Sequence, residues 1–287
     1  MTADDVVHAE LQRCLGEVEK YTQSDVIVYS GPIVYGTDKM IRDSLEQVPD
    51  RRSKLLFVLE TNGGFIEVVQ RIADTLRRHY TVVEFLVPDH AFSAGTVLVM
   101  SGDGIYMDYY SVLGPIDPQL PDQKGAMLPA LGYLKQYERL IEKSRQGKLT
   151  TAEVAFLLEK FDPAELYKFE RARELSVSLL KDWLVRYKFK NWKMTQKRNI
   201  PVTEKMKKER AEQIARKLLD TERWNSHGRG ISMEVLQKTI NLQIDDFGKD
   251  ASLNSCIRIY CRLVQDYVGK MGKSNFVHST ASGLQMF

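Results

Sequence analysis

Cysteine is scarce in this chain. Its three cysteines in 287 residues, Cys14, Cys256 and Cys261, fall into neither a disulfide framework nor a zinc-ligand set, which points to a reducing compartment. No apolar run approaches the ~20 residues needed to cross a bilayer. The N-terminus lacks the basic-then-apolar pattern of a secretory leader, so the expected location is cytoplasmic. Neither sign of charge is in excess: 41 Lys and Arg face 38 Asp and Glu, and a net charge of +3 does not by itself imply a nucleic-acid partner. There is no ATP-binding loop, so any ATP dependence would have to come from a partner. What remains is 43% hydrophobic and 28% charged residues, an ordinary globular balance with core enough for one large or two modest domains.

The most informative stretch runs from His90 to Met100, His-Ala-Phe-Ser-Ala-Gly-Thr-Val-Leu-Val-Met. It follows a strand-like run, Val82 to Val87, and a turn at Pro88-Asp89, and an apolar helical run begins directly after its serine. Ser93 thus stands at a helix start, where a serine is ordinarily a plain N-cap. A second element changes the weighing. Asn62-Gly63-Gly64 joins another strand-like run, Leu55 to Glu60, to an amphipathic helix from Phe65 to His79. A Gly-Gly pair can be no more than a tight turn. It also lets backbone N–H groups approach a substrate carbonyl unhindered, and acyl transfer needs two such donors beside a nucleophile. Gly64 and Ala94 can supply them, with Asn62 and Gly63 shaping the loop. Gly64 and Ser93 are 29 residues apart, the length of one β-α-β crossover, so both loops are expected at one end of a parallel sheet.

Thr61-Asn62-Gly63-Gly64, Phe92-Ser93-Ala94-Gly95 and Val112-Leu113-Gly114-Pro115-Ile116-Asp117-Pro118-Gln119 together resemble the serine dehydrogenase proteinase family. That family belongs to the Clp protease and signal-peptide peptidase clan, which shares the crotonase fold. The likeness covers residues 24–142 and resumes at Arg223-Trp224-Asn225-Ser226-His227-Gly228, similar to a Trp-x-x-His element of the family. It implies an α/β stack of β-α units, a peptide or protein substrate and a homo-oligomer. A regulatory or unfoldase partner is also compatible with it. No metal or organic cofactor is implied.

A serine nucleophile needs a base. The Clp subunit carries a histidine about 25 residues after its serine; here that neighbourhood reads Pro115-Ile116-Asp117-Pro118. Signal-peptide peptidases use a lysine farther on, and Lys135 stands 42 residues after Ser93, where the proteinase family also has a lysine after an aliphatic pair. A lysine acts as a base only when neutral, which desolvation against an apolar wall promotes. The plain alternative is a surface lysine at the edge of the apolar stripe of helix 129–144. His227 is the rival base, although Gly228-Arg229-Gly230 departs from the family and a capping or packing histidine is the simpler reading. Asp117, between two prolines, reads first as a turn former and second as a substrate-binding or lysine-orienting group. His79, His90 and His278 have weaker claims, His90 as a loop-lining residue.

The organisation expected is an N-terminal helical arm over 1–23, a catalytic core over 24–147, and a charged helical insertion over 148–222. Residues 223–272 would complete the core, and 273–287 would form a poorly ordered tail. Within the insertion, helices are expected at 151–161, 163–188 and 203–220. The basic stretch Arg186 to Lys217, interleaved with Tyr187, Phe189 and Trp192, reads as a solvated helical face before it reads as a nucleic-acid or membrane surface. The functional expectation is a serine peptidase with Ser93 as nucleophile and Lys135 as base. A crotonase-like acyl-thioester enzyme and a non-catalytic oligomeric scaffold are the alternatives.

Overall fold

A computed structural model describes residues 2–117, 119–121, 127–195, 199–224 and 228–287. The chain opens with helix α1 (Ala3–Thr22), started by a capping box in which Thr2 and Asp5 satisfy each other's backbone N–H. Three βα units follow: β1 (Asp25–Ser30), α2 (Thr37–Glu46), β2 (Lys54–Glu60), α3 (Ile66–His79), β3 (Val82–Leu86), the short β4 (His90–Ala91) and α4 (Ala94–Val99). Then come β5 (Gly104–Met107), β6 (Val112–Leu113), the hairpin strands β7 (Gln119–Pro121) and β8 (Met127–Pro129), and α5 (Ala130–Arg145).

The helical middle holds α6 (Thr151–Lys160), α7 (Pro163–Trp183), α8 (Glu204–Leu218) and the single turn α9 (Thr221–Trp224). After β9 (Ile231–Ser232), α10 (Met233–Val235) and β10 (Asp245–Asp246), the long α11 (Ala251–Lys270) leads into β11 (Phe276–Ser279) and β12 (Gly283–Met286). The residues expected to be a loose tail therefore form a β-hairpin. Phe276, Val277 and His278 are buried, and β11 pairs antiparallel with β1 from Ile27 against Ser279 to Ser30 against Phe276. The alternation Phe-Val-His-Ser was too short and too polar to announce that strand.

Among the described residues the main sheet has the order β10-β5-β3-β2-β1-β11-β12, parallel from β10 to β1. Its central strands are continuous apolar runs because both faces are covered. The two-residue period decides which face each side chain joins. Ile27, Phe57, Phe85 and Ile105 lie in register across neighbouring strands and face a core completed by α2, α3 and α4. Val26, Val28, Leu56, Val58 and Leu86 face the opposite way, onto Leu11, Leu15 and Val18 of α1 and Ile257, Tyr260 and Val264 of α11. The result is an α/β/α sandwich.

The insertion is less of an arm than its charge suggests. Leu180 and Trp183 of α7 and Ala211, Ile214 and Leu218 of α8 are buried in the same core as α3 and α4. Its basic residues are largely committed to internal partners. Arg186 pairs with Asp182, Lys190 pairs with Asp103, and Lys217 Nζ donates to the Thr239 carbonyl at 2.7 Å, while the Arg77 guanidinium of α3 lies 3.7 Å over the insertion's Tyr187 ring. α6 differs: it has a capping box at Thr150 and Glu153 but buries no residue. No helix among the described residues is long and apolar enough to cross a membrane.

Candidate active site

The two loops meet as the crossover spacing requires. Thr61 N–H donates to the His90 carbonyl at 3.1 Å and Phe92 N–H to the Thr61 carbonyl at 2.9 Å, so the chain leaving β2 runs beside β4. The Gly-Gly pair is imposed by crowding. At Gly63, with φ +97°, a Cβ would stand 2.7 Å from the Phe92 carbonyl oxygen and 3.0 Å from Ser93 Cβ. At Gly64, with φ +151°, it would stand 2.0 Å from the Ile33 carbonyl oxygen, an impossible approach. Ile33 N–H donates to Gly63 O and Phe65 N–H to Ile33 O, both at 2.8 Å. In that parallel bridge the N–H of Gly64 itself points away from Ile33. Among the described residues it meets no acceptor, and neither does the N–H of Ala94, the first residue of α4.

Ser93 is not a plain cap. Its side chain makes no capping bond, and its backbone stands at φ 51° and ψ −116°. Gly95 N–H donates to the Phe92 carbonyl at 2.8 Å, closing a four-residue turn over Ser93. These are the angles of the first central position of a type II′ turn, a place that favours glycine. The serine is 2% exposed, and its Oγ donates to the Asp117 backbone carbonyl at 2.9 Å.

Thr96, one turn further on, fixes the surroundings. Its Oγ1 lies 2.8 Å from Ala91 O and 2.9 Å from Gly114 O, and it accepts from Gly114 N–H at 3.1 Å. One buried hydroxyl therefore ties β4, α4 and the 114–117 loop together. The sequence reading did not single it out, since a threonine three residues after Ser93 reads only as helix interior.

Asp117 carries the chain of contacts onward. It is 3% exposed, and its Oδ1 accepts from Leu131 N–H at 2.9 Å, satisfying an orphan donor in the first turn of α5. Lys135 lies one turn beyond Leu131 on the same helix. Leu131 and Leu134 are buried while Lys135 is exposed, so the apolar wall expected around it is not built by the described part of this chain. Asn62 is exposed at the loop edge.

His227 lies outside the described residues. His278 is 1% exposed, its Nδ1 lies 2.8 Å from the Tyr260 hydroxyl, and burial pushes its pKa down to about 4: a core histidine of the C-terminal hairpin. His79 closes α3, with its pKa lowered first by burial and then by Arg51. His90, the first residue of β4, tilts on Phe92 with ring centroids 5.0 Å apart.

With the geometry in place, the comparison with known proteins is specific. Residues 24–160 match the profile of the ClpP-like SDH-type serine proteinase. The match spans just under half of the chain, and it is a likeness of that stretch to the family. The matched stretch contains Gly64, Ser93, Asp117 and Lys135, and extends from β1 to the end of α6.

Two uncharacterized proteins of Methanocaldococcus jannaschii are similar to the chain. One is 33% identical over 99 residues, covering 34% of this chain and 33% of the relative. The other is 24% identical over 158 residues, covering 50% and 52%. The chain thus spans about a third to a half of the length of these curated relatives. Two solved structures of a membrane-bound stomatin-specific protease also align with it. A mutant form has a TM-score of 0.42 and 13% identity over 77% of this chain and 79% of that one. A second mutant, in complex with a substrate peptide, has a TM-score of 0.43 and 15% identity over 77% and 75%.

Proposed function

We propose that this protein is a serine peptidase in which Ser93 attacks a peptide carbonyl and Lys135 is the general base. The observation that carries the reading is the conformation of Ser93. A serine that neither caps its helix nor relaxes from a glycine-type turn is held there for its hydroxyl. Support comes from the Gly64 and Ala94 amides, two donors on adjoining loops that meet no acceptor among the described residues, as an oxyanion requires. Neutral Lys135 would take the Ser93 proton as Oγ bonds to the carbonyl carbon. The two amides would hold the tetrahedral oxyanion, and the lysine would return the proton to the leaving amine. Water would then hydrolyse the acyl-enzyme by the same route. Asp117 would set the start of α5 and thus the station of Lys135. A homo-oligomer is part of the proposal, since exposed Lys135 needs covering by substrate or a second copy to lose its water.

One observation favours the scaffold reading: the Ser93 proton is directed at the Asp117 carbonyl rather than at a base. Labelling with a fluorophosphonate separates the two. The peptidase labels in the wild type and loses the label in both Ser93→Ala and Lys135→Ala, while His227→Ala keeps it. Loss in His227→Ala with retention in Lys135→Ala replaces the base. A folded wild type that never labels, up to about pH 9 where lysine deprotonates more readily, supports the scaffold.

A further inference from the structure

Where β2 ends beside the start of β4, next to α11, three groups that the proposed chemistry does not use converge. Glu60, Asp89 and His90 each offer a ligand atom within 4.8 Å of the other two, and all three are half-buried. His90 Nδ1 lies 3.3 Å from Asp89 Oδ2. Two donors at that separation, each about 2.05 Å from a shared ion, subtend about 107°, close to the tetrahedral angle. Gln265 of α11 donates from Nε2 to Glu60 Oε2 at 3.0 Å, the kind of outer support that orients a ligating carboxylate. Burial raises the Glu60 pKa, and the charges that bear on it are those of His90 and Asp89, with no lysine or arginine among them. Among the described residues neither carboxylate is ion-paired to a lysine or arginine, Arg258 being paired with Asp108, and two such carboxylates brought together leave negative charge for a cation to complete.

We propose that Glu60, Asp89 and His90 form a divalent-cation site of the zinc class, with two oxygens, one nitrogen and a fourth position for water. The donor set suits zinc better than calcium, which takes six to eight oxygens, or magnesium, which keeps several waters. A shell of this kind is at most ~4.1 Å across, so the carboxylates turn inward as the ion enters. Glu60 directly precedes the Thr61–Gly64 loop, and His90 lies three residues before Ser93, so the ion braces the two loops at their root.

The test is equilibrium dialysis of the untagged, chelator-stripped full chain against zinc chloride, read as bound zinc. This readout does not depend on peptidase activity, so it can fail while the serine labelling holds, or hold while the labelling fails. The expected result is one equivalent per chain, weakened at least tenfold in Glu60→Gln and in His90→Asn and about tenfold in Gln265→Ala. Asp89→Asn, at a position more exposed than His90, serves if either ligand variant does not fold, with the same loss expected. No retained zinc in the wild type, or unchanged affinity in the folded ligand variants, overturns the site and leaves a histidine paired with two carboxylates.

Discussion

A serine in the first central position of a type II′ turn carries a backbone cost of about 1–3 kcal/mol that a glycine would not. Ser93→Gly and Ser93→Ala both remove the hydroxyl and its bond to the Asp117 carbonyl, so the difference between them isolates the strain. Ser93→Gly is expected to be more stable than Ser93→Ala by about 1–2 kcal/mol in urea unfolding, with neither protein labelling. Equal midpoints would mean that the turn relaxes at no cost. A second residue-scale expectation concerns His278. Its folded pKa of about 4 lies below the unfolded value of 6.5, so the unfolded chain binds more protons between those values. The stability is therefore complete above about pH 6.5 and declines as pH falls toward 4, by a total on the order of 3 kcal/mol from this group. His278→Gln should flatten that decline in unfolding midpoints measured across the range. A decline as steep as wild type would assign it to other groups.

At the scale of elements, α5 is joined to Ser93 through one residue. Ser93 Oγ bonds the backbone of Asp117, and the Asp117 side chain holds Leu131 N–H. Asp117→Ala should cost about 1 kcal/mol of stability as a lost helix cap. It should also reduce the labelling rate of Ser93 at least tenfold, with Asp117→Asn restoring most of it because the amide oxygen can still accept. A loss of stability with an unchanged labelling rate would confine Asp117 to the turn-forming role. The junction also explains how far the sequence could be read. The Gly63-Gly64 pair and Ser93 were legible because each loop sits between a continuous apolar strand and a periodic helix, one crossover apart. Thr96 was not, since its importance lies in three backbone groups brought to it from elsewhere in the chain. Nor were the buried faces of α7 and α8, because snorkelling lysines and arginines mask the apolar stripe that carries Leu180, Trp183 and Ile214.

At the scale of the whole molecule, the parallel sheet is finished by a hairpin that the parallel pattern does not foretell. β11 covers the edge of β1 that would otherwise present unpaired N–H and C=O groups and the apolar run Val26 to Tyr29. A chain ending at residue 275 should lose Phe276 and Val277 from the two cores and expose that edge. It is expected to be insoluble, or to melt at least 10 °C lower in calorimetry. A soluble product with an unchanged transition would make the hairpin dispensable. The same pairing sets an order of events during folding. β1 is among the first elements made, yet its antiparallel neighbour lies almost 250 residues downstream. Loop closure over that span is slow, and contacts of long sequence separation raise the kinetic barrier. Until residues 276–286 arrive, the strand beside the glycine loop has one open flank, and a nascent chain carries the Ser93 turn well before the sheet beneath it is closed.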